Sequence, residues 1–270
     1  MTILALPEQD VHPVAGCARA QVVLLGEPGI GKTHWSGKFP NSLFAKTEPG
    51  TDFIRRREVD ITSWEDFQNT VELLCTSEHD REWLIIDTLD RLYDHACAHL
   101  CAIKDWETIA DGPLGSGYAK VGDMLRREAM KLYFKSPVSV IWISHVKVQD
   151  MPNGRKVIKP SVAPSAMKVL NEFVTVVAYA GVRAGVKGQI LRTIYFGTTQ
   201  NLGSIEVKDR TGRLPDYIDM QKDDASDVEQ FLQTIRGEVP SAQETPPETK
   251  DVLAKLRAVK AKNKPPVGAK

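Results

Sequence analysis

The clearest chemistry in the sequence lies in Gly26-Glu27-Pro28-Gly29-Ile30-Gly31-Lys32-Thr33, which fits the pattern Gly-x-x-x-x-Gly-Lys-Ser/Thr. Gly26, Gly29 and Gly31 let backbone amides curl around phosphate oxygens. Lys32 is long enough to reach the terminal phosphates, and Thr33 offers a hydroxyl to Mg2+ at the positive end of a helix. Asp87 closes the apolar run Leu84-Ile85-Ile86 and is the natural second ligand for that metal, directly or through water. Hydrolysis also needs a group that orients and polarises a water, and Glu48, at the mouth of another apolar stretch, is the candidate. Glu27, inside the loop, is its rival, but a carboxylate there is expected to face solvent or an adjoining subunit. His145 follows the apolar run Val138 to Ser144, where it can sense a γ-phosphate and pass its presence to the segment beyond. Asp90 reads as a first-turn helix residue favoured by the macrodipole rather than as a further metal ligand.

These residues need elements that bring them to one place. Gln21 to Leu25, Ser42 to Ala45, Trp83 to Ile86 and Val138 to Ser144 are short apolar runs of the kind that form strands buried on both faces. Between them Lys32 to Lys38, Trp64 to Cys75, Leu89 to Trp106 and Tyr118 to Phe134 read as helices, the second opening at Ser63 with Asp66 three residues on. Asp111 to Gly117 reads as a loop because of its glycines and proline. Strands alternating with helices imply a parallel sheet flanked by helices, whose ligands sit at the carboxyl ends of the strands. Gly26, Glu48, Asp87 and His145 all fall at such ends. After His145 a polar stretch, read as a loop, runs to about Pro164, and Val174 to Val182 with Leu191 to Phe196 predict an antiparallel hairpin added to the core. Asp227 to Arg236 reads as the last core helix. The expected organisation is an N-terminal extension over 1–18, a P-loop core over 19–237 and a flexible basic tail over 238–270, where Pro, Glu, Thr, Lys and Ala dominate.

Composition limits the partners. The 270 residues carry 35 Lys+Arg against 35 Asp+Glu, so a uniformly basic nucleic-acid binder is excluded while local basic patches are not. Lys147, Arg155, Lys156 and Lys159 make the stretch after His145 such a patch, and it is the expected contact for DNA. Lys250, Lys255, Arg257, Lys260, Lys262 and Lys264 in the tail offer nonspecific affinity or simply solubility. No apolar run approaches the roughly 20 residues that span a bilayer. The four cysteines form no Cys-x-x-Cys pair and the start has no secretory leader, which points to the reducing cytoplasm and no membrane partner.

The loop Gly26 to Thr33, the turn Thr47-Glu48-Pro49-Gly50, Ile85-Ile86-Asp87-Thr88, Ser144-His145 and Lys208-Asp209-Arg210-Thr211-Gly212 together resemble the phage and prophage nucleotide-binding proteins of the RecA-like superfamily. In particular the chain is similar to the ATP-dependent single-strand annealing group, sometimes called the fourth Sak group, over roughly residues 22–218. The resemblance implies a RecA-like P-loop NTPase core of α/β class, with ATP and Mg2+ as cofactors and Glu48 as the catalytic carboxylate. His145 takes the place of a γ-phosphate sensor that is often Gln. Lys208 and Arg210 match an element resembling the Lys-Asn-Arg-Phe-Gly of bacterial RadA, whose cations act on a neighbouring subunit's nucleotide; here Asp209 and Thr211 replace Asn and Phe. The implied function is that of a recombination ATPase that binds single-stranded DNA and promotes annealing, as a ring or filament of like subunits. The alternative is a P-loop ATPase that loads or regulates a replication or repair partner. A small-molecule kinase is disfavoured by the lack of an arginine-rich lid.

Overall fold

The computed structural model describes residues 19–49, 56–150, 156–197 and 207–238, with backbone alone at 148–150 and 156–157. The expected N-terminal extension, the tail beyond Glu238 and Arg155 lie outside the described residues. In chain order the elements are β1 (Gln21–Gly26), α1 (Lys32–Ser36), β2 (Ser42–Lys46), β3 (Arg57–Asp60), α2 (Trp64–Thr76), β4 (Trp83–Asp87), α3 (Leu89–Lys104) and α4 (Ser116–Phe134). They continue with β5 (Ser139–Asp150), β6 (Lys156–Pro160), α5 (Pro164–Phe173), β7 (Val176–Ala184), β8 (Ile190–Tyr195), β9 (Lys208–Asp209), β10 (Tyr217–Asp219) and α6 (Ser226–Arg236).

The strands line up in the order β10-β8-β7-β1-β5-β4-β2-β3. From β7 to β3 every neighbour is parallel, whereas at one end β8 pairs antiparallel with both β7 and β10. The predicted mainly parallel sheet with an added hairpin is therefore the architecture found. Its central strands are apolar throughout because both faces are covered. Val23, Leu25, Leu84, Ile86, Val140 and Trp142 pack under α2 to α5, and the alternating Val22, Leu24, Trp83, Ile85, Ile141 and Ile143 pack under α1 and α6.

Short helices need outside support, since one of five residues is far below the length at which helices persist alone. α1 obtains it from Trp35, fully buried with its ring centroid 4.9 Å from Phe39 and 5.6 Å from Phe231 of α6. Edge-on aromatic pairs contribute roughly 0.5–1.5 kcal/mol each beyond their buried area. α2 begins where expected: the Ser63 hydroxyl accepts the Asp66 amide at 3.1 Å, and the Asp66 carboxylate in turn receives the Thr62 amide and hydroxyl.

Two expectations need correction. The polar stretch after His145 is not a loop: β5 runs on past His145 to Asp150 and pairs antiparallel with β6, so a two-stranded ribbon extends the strand beyond the sheet. The segment 111–117 is not a loop throughout, because it holds a single 3-10 turn, Pro113–Gly115, and α4 already opens at Ser116. β3 is a strand with no apolar run, Arg-Glu-Val-Asp, and so gives no hydrophobic signal in the sequence. No helix among the described residues is long and apolar enough to cross a membrane.

Candidate active site

Parallel register gathers the chemistry along one edge of the sheet. Gly26 is the last residue of β1 and stands level with His145 on β5 and Ala180 on β7. Lys46 stands level with Asp87, and Glu48 follows two residues later. A single polar residue ties those last two ends together: Thr47 donates its amide to the Asp87 carbonyl at 2.9 Å, and its hydroxyl exchanges hydrogen bonds with the Thr88 amide at 2.7 Å and carbonyl at 3.0 Å.

The loop from Glu27 to Gly31 closes over the end of β1. Gly29 and Gly31 have φ of 76° and 108°, a region that side chains other than glycine enter only with strain. Lys32, only 4% exposed, folds back so that Nζ donates to the carbonyls of Gly26 at 2.8 Å and Glu27 at 2.9 Å. Its third direction meets His145 Nδ1 at 3.2 Å, and His145 Nε2 meets Glu48 Oε1 at 3.3 Å. With the ammonium donating to Nδ1, the imidazole carries its proton on Nε2 and donates to Glu48. Loop lysine, histidine and carboxylate thus form one chain of contacts. Burial drives the Lys32 ammonium down to about 8, against the pull of Asp87, Asp90, Glu48 and Glu27.

Asp87 is 5% exposed, and desolvation raises its carboxyl above the ordinary range, offset in part by the Thr33 hydroxyl. Asp90 was legible only as a helix-start residue, yet it does more. Its carboxylate accepts the His145 amide at 2.8 Å and the Ser144 hydroxyl at 3.2 Å, so it fixes the backbone that carries the His145 imidazole. Desolvation raises its carboxyl too. Arg91, which the sequence reading passed over, brings Nε to 3.9 Å from Glu48 Oε2. Glu27 is exposed at the rim, as expected of the rival carboxylate.

The site fits the groups the motif implies. The glycine turns and the start of α1 make a cradle for phosphate, and the hydroxyl of Thr33 beside the carboxylate of Asp87 is the hard oxygen pair that Mg2+ takes. When bound, the metal supplies charge neutralisation to the phosphates. No cluster of three or more His, Cys, Asp or Glu suited to a metal occurs among the described residues.

Residues 18–211 match the family model of the AAA domain. The chain belongs to the AAA domain family. It therefore carries an AAA-type ATPase domain, which uses a nucleotide and usually Mg2+, on the α/β P-loop core described above. No curated protein matches the chain.

Two sets of predicted residues stand away from this AAA site. Lys208 opens β9 and Arg210 follows it; this strand pairs with Val176 and Val177 at the opposite end of β7 from the P-loop. There they hold the carboxyl end of α5: Lys208 Nζ donates to the Asn171 carbonyl at 3.3 Å, and the Arg210 guanidinium donates to those of Asn171 at 2.8 Å and Glu172 at 3.3 Å. Cations belong at that end of a helix, which carries unpaired carbonyls and negative charge. They do not reach their own nucleotide site. Lys147 and Lys159, both exposed, stand directly opposite each other on the β5–β6 ribbon; the side chain of Lys156 is not described.

Proposed function

We propose that this AAA domain is a Mg2+-dependent ATPase that binds single-stranded DNA on the β5–β6 ribbon and uses ATP to control strand annealing or pairing during recombination. One observation carries the reading. His145, in contact with both Lys32 and Glu48, lies on the strand that continues into the ribbon bearing Lys147 opposite Lys159. Like charges facing each other across a ribbon are destabilising unless an anion lies over them, and neither lysine has a carboxylate partner among the described residues. A phosphate chain is such an anion.

The residues then divide the work. Lys32 leaves the carbonyls of Gly26 and Glu27 for the terminal phosphates, which also takes it from His145. His145 is freed to hydrogen-bond the γ-phosphate, and Glu48, no longer held by the imidazole, orients and polarises the attacking water. Because Asp90 clamps the His145 amide and the Ser161 amide donates to the His145 carbonyl at 2.8 Å, a shift of His145 moves the ribbon at both of its roots. A like subunit is the candidate source of Lys208 and Arg210 for the nucleotide.

The test is ATP hydrolysis with and without single-stranded DNA across a salt series, for the native chain and a Lys147→Ala/Lys159→Ala variant. Stimulation by DNA that weakens with salt, and a log-log salt slope of binding reduced by about 0.7 per lysine removed, are expected. Unchanged DNA binding in the variant, or no stimulation of the native chain, rejects the ribbon as the DNA contact. The reading in which a protein partner controls the ATPase is favoured by a different surface. Met130, Tyr133 and Phe134 of α4 and Leu73 of α2 expose 42–64% of their area.

A further inference from the structure

Lys32 reaches toward β5, so its charge serves one side of the P-loop. On the other side of β1 lie β7 and then β8. Arg192 on β8 lies two residues before Ile194 and so shares its face of the sheet; Ile194 is fully buried under α1 and α6, so the Arg192 side chain leaves the sheet on the face that carries α1. There it meets the loop: a methyl group placed on Gly31 would lie 3.4 Å from Arg192 Nη1 and 3.5 Å from Met220 Sδ. Gly31 is the residue that opens α1, where backbone amides face an incoming phosphate. Arg192 is exposed, and its guanidinium has no hydrogen-bond or ion-pair partner among the described residues.

The neighbouring backbone is held firmly for such a purpose. Met220 donates its amide to the Arg192 carbonyl at 2.8 Å. Lys38 of the turn after α1 donates to the Gln221 carbonyl at 2.5 Å and to both oxygens of Asp227, whose fully buried carboxylate also accepts the Gln221 amide at 2.9 Å. His34 Nε2 lies 3.3 Å from the Lys222 carbonyl. The segment after β10 is thereby fastened to α1, and it keeps Met220 and Arg192 beside the loop.

We infer that Arg192 is a second cation of the nucleotide site, holding the sugar-proximal phosphates of a nucleoside di- or triphosphate from the side of the P-loop opposite Lys32. The inference rests on the P-loop binding a nucleotide. An arginine suits the task because its planar donors pair with phosphate oxygens in a fixed fork. Since the contact is to phosphates that ADP and ATP share, it contributes equally to ground state and transition state and acts on affinity rather than on turnover.

The test compares native protein, Arg192→Ala, Arg192→Lys and Lys32→Ala in ADP and ATP binding by calorimetry, in KM and kcat for ATP, and in melting temperature without nucleotide. Arg192→Ala is expected to weaken ADP and ATP alike by about tenfold, to raise KM by a similar factor and to leave kcat within about twofold. Arg192→Lys should recover part of the affinity, and the melting temperature without nucleotide should not move, because an exposed, unpaired side chain has been removed. ADP affinity within twofold of native in Arg192→Ala overturns the inference while native binding that Lys32→Ala abolishes keeps the P-loop reading. A loss of kcat with ADP affinity intact also overturns it, since the arginine would then act on the transferred phosphoryl group. Native protein that binds neither nucleotide overturns both readings together.

Discussion

Lys32 keeps its charge in the fold at a cost. Its charge is buried against two carbonyls and an imidazole, and its folded value of about 8 lies below the 10.5 of the unfolded chain. Between those values the unfolded chain holds a proton that the folded chain does not, so stability rises with pH through that window. Below pH 8 the penalty is fully present. A shift of this size corresponds to about 3 kcal/mol. Lys32→Met keeps the apolar stem and removes the charge, so its stability relative to native should be highest below pH 8 and should decline by about that amount toward pH 10.5. Urea unfolding of both proteins without nucleotide, from pH 7 to 10.5, checks this; a difference that does not change with pH would contradict it. The same cost gives the lysine reason to leave for a phosphate.

At the scale of elements, the site depends on how closely β1 and β7 approach. A Cβ on Gly26 would lie 2.8 Å from the Ala180 carbonyl oxygen and 3.0 Å from Ala180 Cβ, so Gly26→Ala forces two hydrogen-bonded strands apart. At Gly29 the added methyl meets nothing within 4 Å, and only the positive φ opposes it. Gly26→Ala should therefore destabilise by about 1–3 kcal/mol, as overpacking does, and Gly29→Ala by about 1 kcal/mol. Denaturation midpoints in the order native, Gly29→Ala, Gly26→Ala are expected, and equal midpoints for the two variants would refute the close approach. The ribbon formed by β5 and β6 has the opposite character: it stands out from the sheet as an extension of its central strand, a shape suited to motion driven from His145.

For the whole molecule, the distribution of cations matters more than the net charge of zero. Lys32 and Arg192 flank the P-loop, Lys147 and Lys159 lie on the ribbon, and Lys208 and Arg210 sit at the far end of β7. A residue so distant from its own nucleotide can act only on another copy's. If Arg210 does so, Arg210→Ala will lose ATPase activity, and mixing it with Lys32→Ala will restore a limited part, because some mixed interfaces join an intact P-loop to an intact arginine. Full activity of Arg210→Ala alone would leave Arg210 with its helix-end role only.

The sequence by itself determined the α/β core, the P-loop and the placing of Gly26, Glu48, Asp87 and His145 at strand ends. Those features are local: a phosphate loop needs its glycines in order, and a buried parallel strand must be an apolar run that stops where polar chemistry begins. Tertiary structure alone decided which strand ends are neighbours, and so that one imidazole joins Lys32 to Glu48. It also decided that Asp90 holds the backbone of His145, that Lys147 faces Lys159 across a ribbon read as a loop, and that Arg192 arrives beside Gly31 from 161 positions away in the chain. Contacts of that kind leave no periodic or spacing signal, because they are set by sheet order and register, which depend on the packing of all the strands together.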